Sequence, residues 1–222
     1  MICIPVAGRD VREVILKAER ASELGDLLEI RADFLRDLRG LEDLYSLREI
    51  GKPLILTVRS RYEGGMFEGG EEERIDLILE LNEILRPDYV DVEVMSNIAP
   101  RVVEEVGGAA KILMSYHDFN RTPEREELEE IVRRARSTGG DFVKIATLVE
   151  RREDAITIVN LLEKGSDVIP VPMGRLGCVL RSILPFLGVP FTYASLEGGE
   201  KFAPGQPSAE VLREIWSLLK RC

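Results

Sequence analysis

Short apolar runs alternate with longer amphipathic stretches along the whole 222-residue chain. Eight of the runs are apolar or rich in β-branched residues and predict strands. They span Ile2–Val6, Leu27–Arg31, Leu54–Val58, Tyr89–Glu93, Lys111–Tyr116, Phe142–Ala146, Val168–Val171 and Phe191–Ala194. Between them, apolar residues recur on one helical face, which predicts helices over Val11–Leu24, Leu41–Ile50, Glu71–Leu85, Ala99–Val106, Pro123–Ser137, Glu150–Glu163, Gly177–Leu187 and Ser208–Lys220.

This alternation restricts the fold more than any other feature of the chain. A strand followed by a helix is typical of a parallel sheet, because parallel strands need a crossover connection. Eight such units in a chain of this length favour an α/β fold of the (β/α)8 TIM-barrel type over an open doubly wound sheet, which typically uses fewer strands. Nothing marks a linker, so we predict a single catalytic domain over residues 1–222.

Composition and charge exclude several classes of function. The net charge of −10 repels phosphate backbones, and no basic run carries interleaved aromatic residues, so we expect no nucleic-acid partner. No stretch of about 18 apolar residues and no secretory leader is present, which predicts a cytoplasmic protein without a membrane partner. We expect a small-molecule substrate.

The cysteines and glycines give no sign of a metal or a cofactor. Cys3, Cys178 and Cys222 are widely spaced and lie outside any Cys/His cluster, so we expect reduced thiols and no metal site. Neither the dinucleotide-binding nor the P-loop glycine pattern occurs, and we expect no cofactor.

Lys144 and the single histidine, His117, are the residues that most strongly indicate a function. Lys144 lies inside a strand run, and a buried lysine is rare unless it is paired or used chemically. Burial disfavours the ammonium form, and a neutral amine can attack a carbonyl while a nearby imidazole moves protons. His117 follows the neighbouring strand, so the two can meet. The alternatives are an ion pair at a strand end for Lys144 and a hydrogen-bonded strand cap for His117.

Charged residues recur at the ends of the second, third and fourth strands, where a barrel carries its chemistry. Asp91, favoured over Glu93, is placed to orient the imidazole of His117. Glu29 and Arg31 share one strand face, whereas Arg59 ends the next strand and precedes a loop containing Glu63. Carboxylates and guanidinium groups suit a polyhydroxylated, anionic substrate. Taken singly, each pair is also typical of a structural salt bridge.

The loops after the last two strands leave two kinds of anion site open. Gly198 and Gly199 can form a phosphate cradle of the kind many barrels place there. Arg181 and Gln206 can instead bind a carboxylate. Composition does not decide between these sites.

Six motifs, taken in order, resemble those of the type I 3-dehydroquinate dehydratase family of the shikimate pathway. They are EIRAD, TVRSRYEGG, SYHDF, VKIA, MGRLG followed by Arg181, and APGQ. The resemblance implies a lyase of aromatic amino-acid biosynthesis that dehydrates 3-dehydroquinate without a metal or cofactor. It also implies the roles of the site residues: Lys144 as the Schiff-base lysine, His117 as general acid/base, Glu29, Arg31 and Arg59 as ligands of the substrate hydroxyls and ring, Arg181 and Gln206 as the carboxylate-binding pair, Met173 as an apolar neighbour of the ring, Asp91 as support for the histidine, and Glu63 as a loop glutamate of open role.

The chain departs from the family pattern in two places. Phe202 stands before the APGQ run, where relatives are expected to carry a serine. Many relatives also carry an extra N-terminal segment over the barrel floor, whereas this sequence opens on its first strand. Members are often dimers, so a homodimer is expected.

Two other functions compete with the dehydratase interpretation. A class I aldolase acting on a phosphorylated sugar would also use a barrel lysine and would bind phosphate at Gly198 and Gly199. A barrel that has lost activity and serves as a binding module is the other. It is disfavoured because the nucleophile and proton-transfer positions are both filled.

Overall fold

The computed structural model describes residues 1–221, so the thiol predicted at Cys222 lies outside the described residues. The parallel strands are β1 Ile2–Val6, β2 Leu27–Arg31, β3 Leu54–Thr57, β4 Tyr89–Glu93, β5 Lys111–Asp118, β6 Phe142–Thr147, β7 Val168–Pro170 and β8 Thr192–Tyr193. The α-helices are α1 Val11–Leu24, α2 Glu71–Leu85, α3 Ala99–Val106, α4 Arg125–Thr138, α5 Arg152–Asn160, α6 Gly174–Ile183 and α7 Ala209–Leu219. Five 3₁₀ segments complete the described elements, at Ala32–Phe34, Leu41–Ile50, Arg61–Glu63, Leu161–Lys164 and Leu184–Leu187.

The strands form one parallel sheet in the order β7-β6-β5-β4-β3-β2-β1-β8. From β1 to β7 each strand pairs with the next one in the chain, and β8 pairs with β1, so the sheet curls into a nearly closed barrel with the helices outside. The predicted single-domain (β/α)8 barrel is confirmed. Across the seam between β7 and β8, the Arg181 side chain of α6 donates to the carbonyl of Tyr193 at 3.4 Å.

The second predicted helix has the predicted bounds but is a 3₁₀ helix. Leu41, Leu44 and Leu47 are all buried and recur every third residue. Side chains three apart lie above one another in a 3₁₀ helix, so this spacing gives that segment a continuous apolar stripe, and the segment packs against α1 and α2. Left-handed glycines at Gly40 and Gly51 flank it.

The two faces of the strands serve different purposes. On β6, Val143 and Ile145 are buried against the helices, while Phe142, Lys144 and Ala146 share the other face, which points into the barrel. The outer face therefore builds the hydrophobic core between sheet and helices. The inner face is free to carry polar groups.

The floor of the barrel is closed by aromatic side chains. The rings of Tyr89 and Phe142 make an edge contact with centroids 5.8 Å apart. The Nζ atom of Lys111 lies 6.0 Å from the Tyr89 centroid and 5.7 Å from the Phe142 centroid.

None of the helices of the described residues has the length and apolar character that a membrane-spanning helix requires.

Candidate active site

A cavity opens at the carboxyl ends of the strands, where a barrel of this type carries its chemistry. Its empty space, counted together with the open solvent at its mouth, is about 490 Å³. The lining residues come from all around the barrel: Pro5, Glu29, Arg31, Arg59, Glu63, Gly64, His117, Phe119, Lys144, Ala146, Val171, Met173, Arg181, Tyr193, Phe202, Ala203 and Gln206. Among them are nine of the ten residues singled out from the sequence, and Asp91 contacts the cavity through Lys144.

Lys144 lies deep in the cavity and is only 4% exposed. Its Nζ atom donates to Asp91 Oδ2 at 2.9 Å, to Tyr193 Oη at 3.3 Å and to Glu29 Oε1 at 3.4 Å. Three donors on one ammonium group thus face three oxygens. The nitrogen is held by groups on β2, β4 and β8 while remaining on the wall of the cavity.

The expected role of Asp91 is wrong. Its carboxylate contacts Lys144, Arg59 and Ser115, with no contact to His117 among the described residues. Burial opposes its ionisation, but the positive charges of Arg59 and Lys144 outweigh burial and hold the pKa of Asp91 at about 2. Asp91 is therefore a permanent counter-ion for the lysine and not a partner for the imidazole.

Asp91 and Glu93 both point into the barrel, because residues two apart on a strand share a face. Both carboxylates are buried on the inner side of β4. Glu93 lies one step further along β4 and accepts from Arg74 and from the backbone N–H of Ser60. It holds the start of the loop after β3.

Glu63, not Asp91, is the partner of His117. Its Oε2 atom accepts the backbone N–H of His117 at 2.9 Å and lies 2.9 Å from Nδ1. If Glu63 accepts at both contacts, Nδ1 carries the proton and Nε2 is the acceptor. Burial raises the pKa of Glu63 to about 8, partly offset by the charge of Arg59.

The imidazole itself is held neutral. Burial lowers the pKa of His117 well below its usual range, and the positive charges of Arg59, Lys144 and Arg31 lower it further. Phe119 stacks on the ring with centroids 6.4 Å apart. A neutral imidazole with a free Nε2 is a base at physiological pH.

Two predicted guanidinium groups line the cavity, each fixed by carboxylates. Arg59 donates to Asp91 at 2.8 Å and to Ser115 Oγ at 2.6 Å. Arg31 makes two parallel 2.8 Å bonds to Asp33. Pairing of this kind orients a guanidinium group and leaves its remaining donors for a ligand.

Arg181 differs from Arg31 and Arg59, because no carboxylate of the described residues pairs with it. It is fully buried, its Nε donates to the carbonyl of Pro172 at 2.7 Å, and its Nη2 has no hydrogen-bond partner among the described residues. Burial lowers the pKa of Arg181 to about 10. An unpaired buried guanidinium group on a cavity wall is suited to bind an anion from solution.

Gln206 and Met173 complete this side of the cavity. Gln206 is 3% exposed and its Oε1 accepts the backbone N–H of Phe202 at 2.9 Å. Met173 is 1% exposed and precedes α6. Together they place an amide and a thioether beside Arg181 on the cavity wall.

Sequence reasoning gave no site role to three aromatic residues that line the cavity: Phe119, which stacks on His117, Tyr193 and Phe202. Tyr193 lies against Lys144, and Phe202, noted only as a departure, lies over Arg31 with its ring centroid 5.3 Å from the guanidinium carbon. Tyr193 sits in a predicted strand, where tyrosine is common. The available signal was its parity, which puts it on the inner face of β8 level with Cys3.

The chain matches known proteins over nearly its full length. A family model described as type I 3-dehydroquinase matches residues 2–221. A 3-dehydroquinate dehydratase of Methanocaldococcus jannaschii is 37% identical over 223 residues, which cover 99% of each chain. The chain belongs to the type I 3-dehydroquinase family. It is therefore a hydro-lyase of the 3-dehydroquinate dehydratase class.

Solved structures agree with this assignment to the type I 3-dehydroquinase family. The 3-dehydroquinate dehydratase of Geobacillus kaustophilus superposes with a TM-score of 0.86 at 30% identity, over 99% of this chain and 91% of that chain. A type I enzyme from Clostridium difficile, with covalently modified comenic acid, superposes with a TM-score of 0.86 at 28% identity, over 99% and 92% of the chains.

Membership of the type I 3-dehydroquinase family overturns the aldolase and inactive-barrel alternatives. The geometry agrees, because Gly198 and Gly199 are absent from the wall of the cavity that contains Lys144. Glu197 and Glu200 flank them and would repel a phosphate. In that cavity, Arg181 is a buried arginine with an unpartnered Nη2 among the described residues.

Proposed function

We propose that the protein dehydrates 3-dehydroquinate to 3-dehydroshikimate through a Schiff base on Lys144, with His117 as general acid and base. The observation that carries the proposal is one cavity that contains a buried amine, a neutral imidazole and an unpaired arginine. The covalently modified comenic acid of the Clostridium difficile relative supports a covalent mechanism.

The substrate would enter with its carboxylate toward Arg181. That guanidinium group is buried with an unsatisfied Nη2, so a carboxylate would supply the missing charge and acceptor. Gln206 would donate its amide N–H groups to the same carboxylate, since its carbonyl oxygen already accepts from Phe202. Glu29, Arg31 and Arg59 would bind the hydroxyl groups, and Met173 would pack on the ring.

The covalent steps begin at the ketone. Neutral Lys144 adds its lone pair to C3, and the carbinolamine loses water to give an iminium ion. The iminium withdraws electrons from C2, so that the C2–H bond becomes acidic. Removal of this proton leaves an enamine. The enamine then expels the C1 hydroxyl as water, and hydrolysis of the conjugated iminium frees the product and the amine. One water is consumed in hydrolysis and two are released, which balances the net loss of one water.

His117 would perform each proton transfer through Nε2. It removes the C2 proton as the base and returns a proton to the leaving hydroxyl, so both events occur on one face of the ring. Glu63 holds the ring through its contact with Nδ1. Help of this kind is typically worth about 10²- to 10⁴-fold.

Reduction of the imine tests the proposal. Borohydride added with 3-dehydroquinate should attach the ligand to Lys144, as mapped by peptide mass spectrometry, and Lys144→Ala should prevent labelling. Lys111→Ala is the matched control, because Lys111 lies at the opposite end of the barrel, and it should leave labelling intact. His117→Ala should slow labelling yet abolish turnover. Labelling of another residue, or none in the folded wild-type protein, would reject the Lys144 scheme.

We also propose that one barrel carries a complete site and that two barrels associate as a homodimer in the cytoplasm. A stripe of exposed apolar side chains on α6 and the following 3₁₀ segment supports association. Its members are Leu176, Val179, Ile183, Phe186 and Leu187, which are 38 to 59% exposed. Contiguous apolar patches of this kind mark interaction surfaces.

A further inference from the structure

Two buried charged residues, Arg74 and Glu93, lie behind the cavity wall and have no part in the proposed mechanism. Each is 1% exposed. Arg74 is on α2 and donates to the carboxylate of Glu93, at the end of β4, and at 3.2 Å to the carbonyl of Val58. Glu71 and Ser96 accept from its other terminal nitrogen at 2.7 and 2.6 Å. Both terminal nitrogens of Arg74 are thus occupied, so its role lies in what it holds.

The backbone on both sides of Arg59 is held by this pair. The carbonyl of Val58 accepts from Arg74, and the N–H of Ser60 donates to Glu93 Oε1 at 2.9 Å. The same oxygen lies 3.4 Å from Arg59 Nη1. Burial opposes the ionisation of Glu93, but the positive charges of Arg59 and Arg74 outweigh burial and hold the pKa of Glu93 below its usual value. Glu93 therefore stays a carboxylate, with one acceptor oxygen for Ser60 and the other for Arg74.

Ser60 connects the pair to the residue that contacts the histidine. Its N–H is held by Glu93, while its carbonyl accepts the N–H groups of Glu63 at 3.3 Å and Gly65 at 2.8 Å, which closes the turn after β3. The carboxylate of Glu63 then contacts the backbone N–H and the Nδ1 atom of His117. A displacement of Ser60 would therefore reach the imidazole.

We propose that Arg74 and Glu93 are positioning residues that fix Ser60 and thereby keep Glu63 in contact with His117. The inference rests on the proposed Schiff-base function and adds to it the support of the base. Neither residue lines the cavity, so neither touches the substrate. They act on proton transfer through the orientation of the imidazole.

Glu93→Gln tests the inference because it keeps the shape of the side chain and removes one acceptor. An amide has a single oxygen, so either the Ser60 N–H or Arg74 meets an NH₂ donor in place of an acceptor. The kcat for 3-dehydroquinate should fall about 10- to 100-fold, the effect expected when a catalytic group moves by up to about 1 Å. Borohydride labelling of Lys144 should survive, because the carboxylates that contact its amine are unchanged.

An isotope effect separates positioning from a general loss of structure. Imine formation can use water to carry protons, whereas removal of the carbon-bound proton at C2 needs the base in contact with it. With 3-dehydroquinate deuterated at C2, the isotope effect on kcat should be larger in Glu93→Gln than in wild type. Arg74→Met should behave in the same way. Arg74→Lys keeps a cation against Glu93 and should recover most of the lost kcat.

Asp88→Asn is the matched control, because Asp88 makes the same kind of contact at the opposite end of β3. Its Oδ2 atom accepts the backbone N–H of Leu54 at 2.9 Å and a guanidinium N–H of Arg48 at 3.1 Å. This variant should lower Tm but leave kcat and the isotope effect at their wild-type values.

The outcomes separate this inference from the proposed function. If wild type is not labelled by borohydride with 3-dehydroquinate, the Schiff-base function fails. If wild type is labelled and Glu93→Gln keeps the wild-type kcat, the function stands and the positioning role is overturned. A lowered kcat with an unchanged isotope effect means that all steps slow alike, which also rejects the role. Where Glu93→Gln does not fold, equal kcat values for Arg74→Met and Arg74→Lys reject the role, and recovery in the lysine variant supports it.

Discussion

Arg31 packs against two aromatic rings, and one of them belongs to the loop that also carries Gln206. Its guanidinium carbon lies 5.1 Å from the centroid of Phe34 and 5.3 Å from that of Phe202, whose rings meet edge to face. Cation–π contacts are worth roughly 0.5 to 2 kcal/mol. The contacts of Phe202 with Arg31 and Phe34 therefore hold the loop between β8 and α7 over the mouth of the barrel. A serine at this position would lack these contacts.

Replacing Phe202 tests whether its contact with Arg31 positions the loop for substrate binding. Phe202→Ser should raise the KM for 3-dehydroquinate about three- to tenfold with kcat nearly unchanged, because the contact is worth about 1 kcal/mol and positions binding groups only. Steady-state kinetics measure both constants. Phe202→Tyr keeps the ring face and should retain the wild-type KM. Equal KM values for the serine and tyrosine variants would contradict the role.

Site residues could be predicted from the sequence where the residue type was unusual for its position. They were missed where the residue type was common at that position. Lys144 stood out because a lysine inside an apolar run needs a partner. Tyr193 did not, since tyrosine is usual in strands. The contact between Glu63 and His117 joins residues 54 positions apart across a loop. The alternation of side chains along a strand carries no information about such a loop. The strand pattern therefore predicts Asp91 as the partner of the imidazole, whereas Asp91 contacts Lys144.

At the scale of elements, the alternation of strands and helices could be predicted because each has its own apolar period. The helix type of the segment Leu41–Ile50 could not be predicted, because a short stretch with apolar residues at every third position fits both an α-helix and a 3₁₀ helix. Helix α4 begins at Arg125, two residues after the predicted start, and Thr122, just before that start, donates to the carbonyl of Leu148 at 2.7 Å. A tertiary contact decided that boundary.

The loop after β3 depends on one glycine that allows two backbones to approach. A Cβ atom at Gly65 would lie 2.1 Å from the carbonyl oxygen of Arg59. Gly65→Ala should therefore displace the loop that carries Glu63 and lower kcat/KM by about 100-fold, the effect expected when a catalytic group moves by about 1 Å.

Gly51→Ala is the matched control for this glycine. Gly51 has a φ of +69° with nothing near its Cβ position, so alanine there adds only backbone strain of about 1 to 2 kcal/mol. Thermal unfolding should show the loss of stability, while kcat/KM stays at the wild-type value. Full activity in Gly65→Ala would refute the need for a close approach.

At the scale of the whole molecule, the barrel interior changes from apolar at the floor to charged at the mouth. Tyr89 and Phe142 close the bottom, and Lys144 lies one inward step above Phe142, at the level of Asp91. Burying these charges is tolerable because each is paired within hydrogen-bond distance. Because the outer helices supply the apolar packing, the interior of the barrel can carry the charged groups of the candidate site.

Helix α6 lies between the candidate site and the molecular surface. Dimerisation through α6 is therefore a prediction about the molecule as a whole. Its inner side carries Arg181, and its outer side carries Val179 and Ile183, which are 59% and 38% exposed. If two copies pair through this stripe, a charge at its centre should separate them, since burying an unpaired carboxylate is strongly unfavourable.

Wild type should therefore behave as a dimer in light scattering at micromolar concentration, and Val179→Glu should behave as a monomer with an unchanged far-ultraviolet circular dichroism spectrum. Leu16→Glu places the same charge on an exposed leucine of α1, away from the stripe, and should remain dimeric. Because Arg181 is on the same helix, the separated variant should also bind 3-dehydroquinate less tightly. A wild-type protein that stays monomeric at every concentration would exclude this interface, and a Val179→Glu dimer would place the contact on another face.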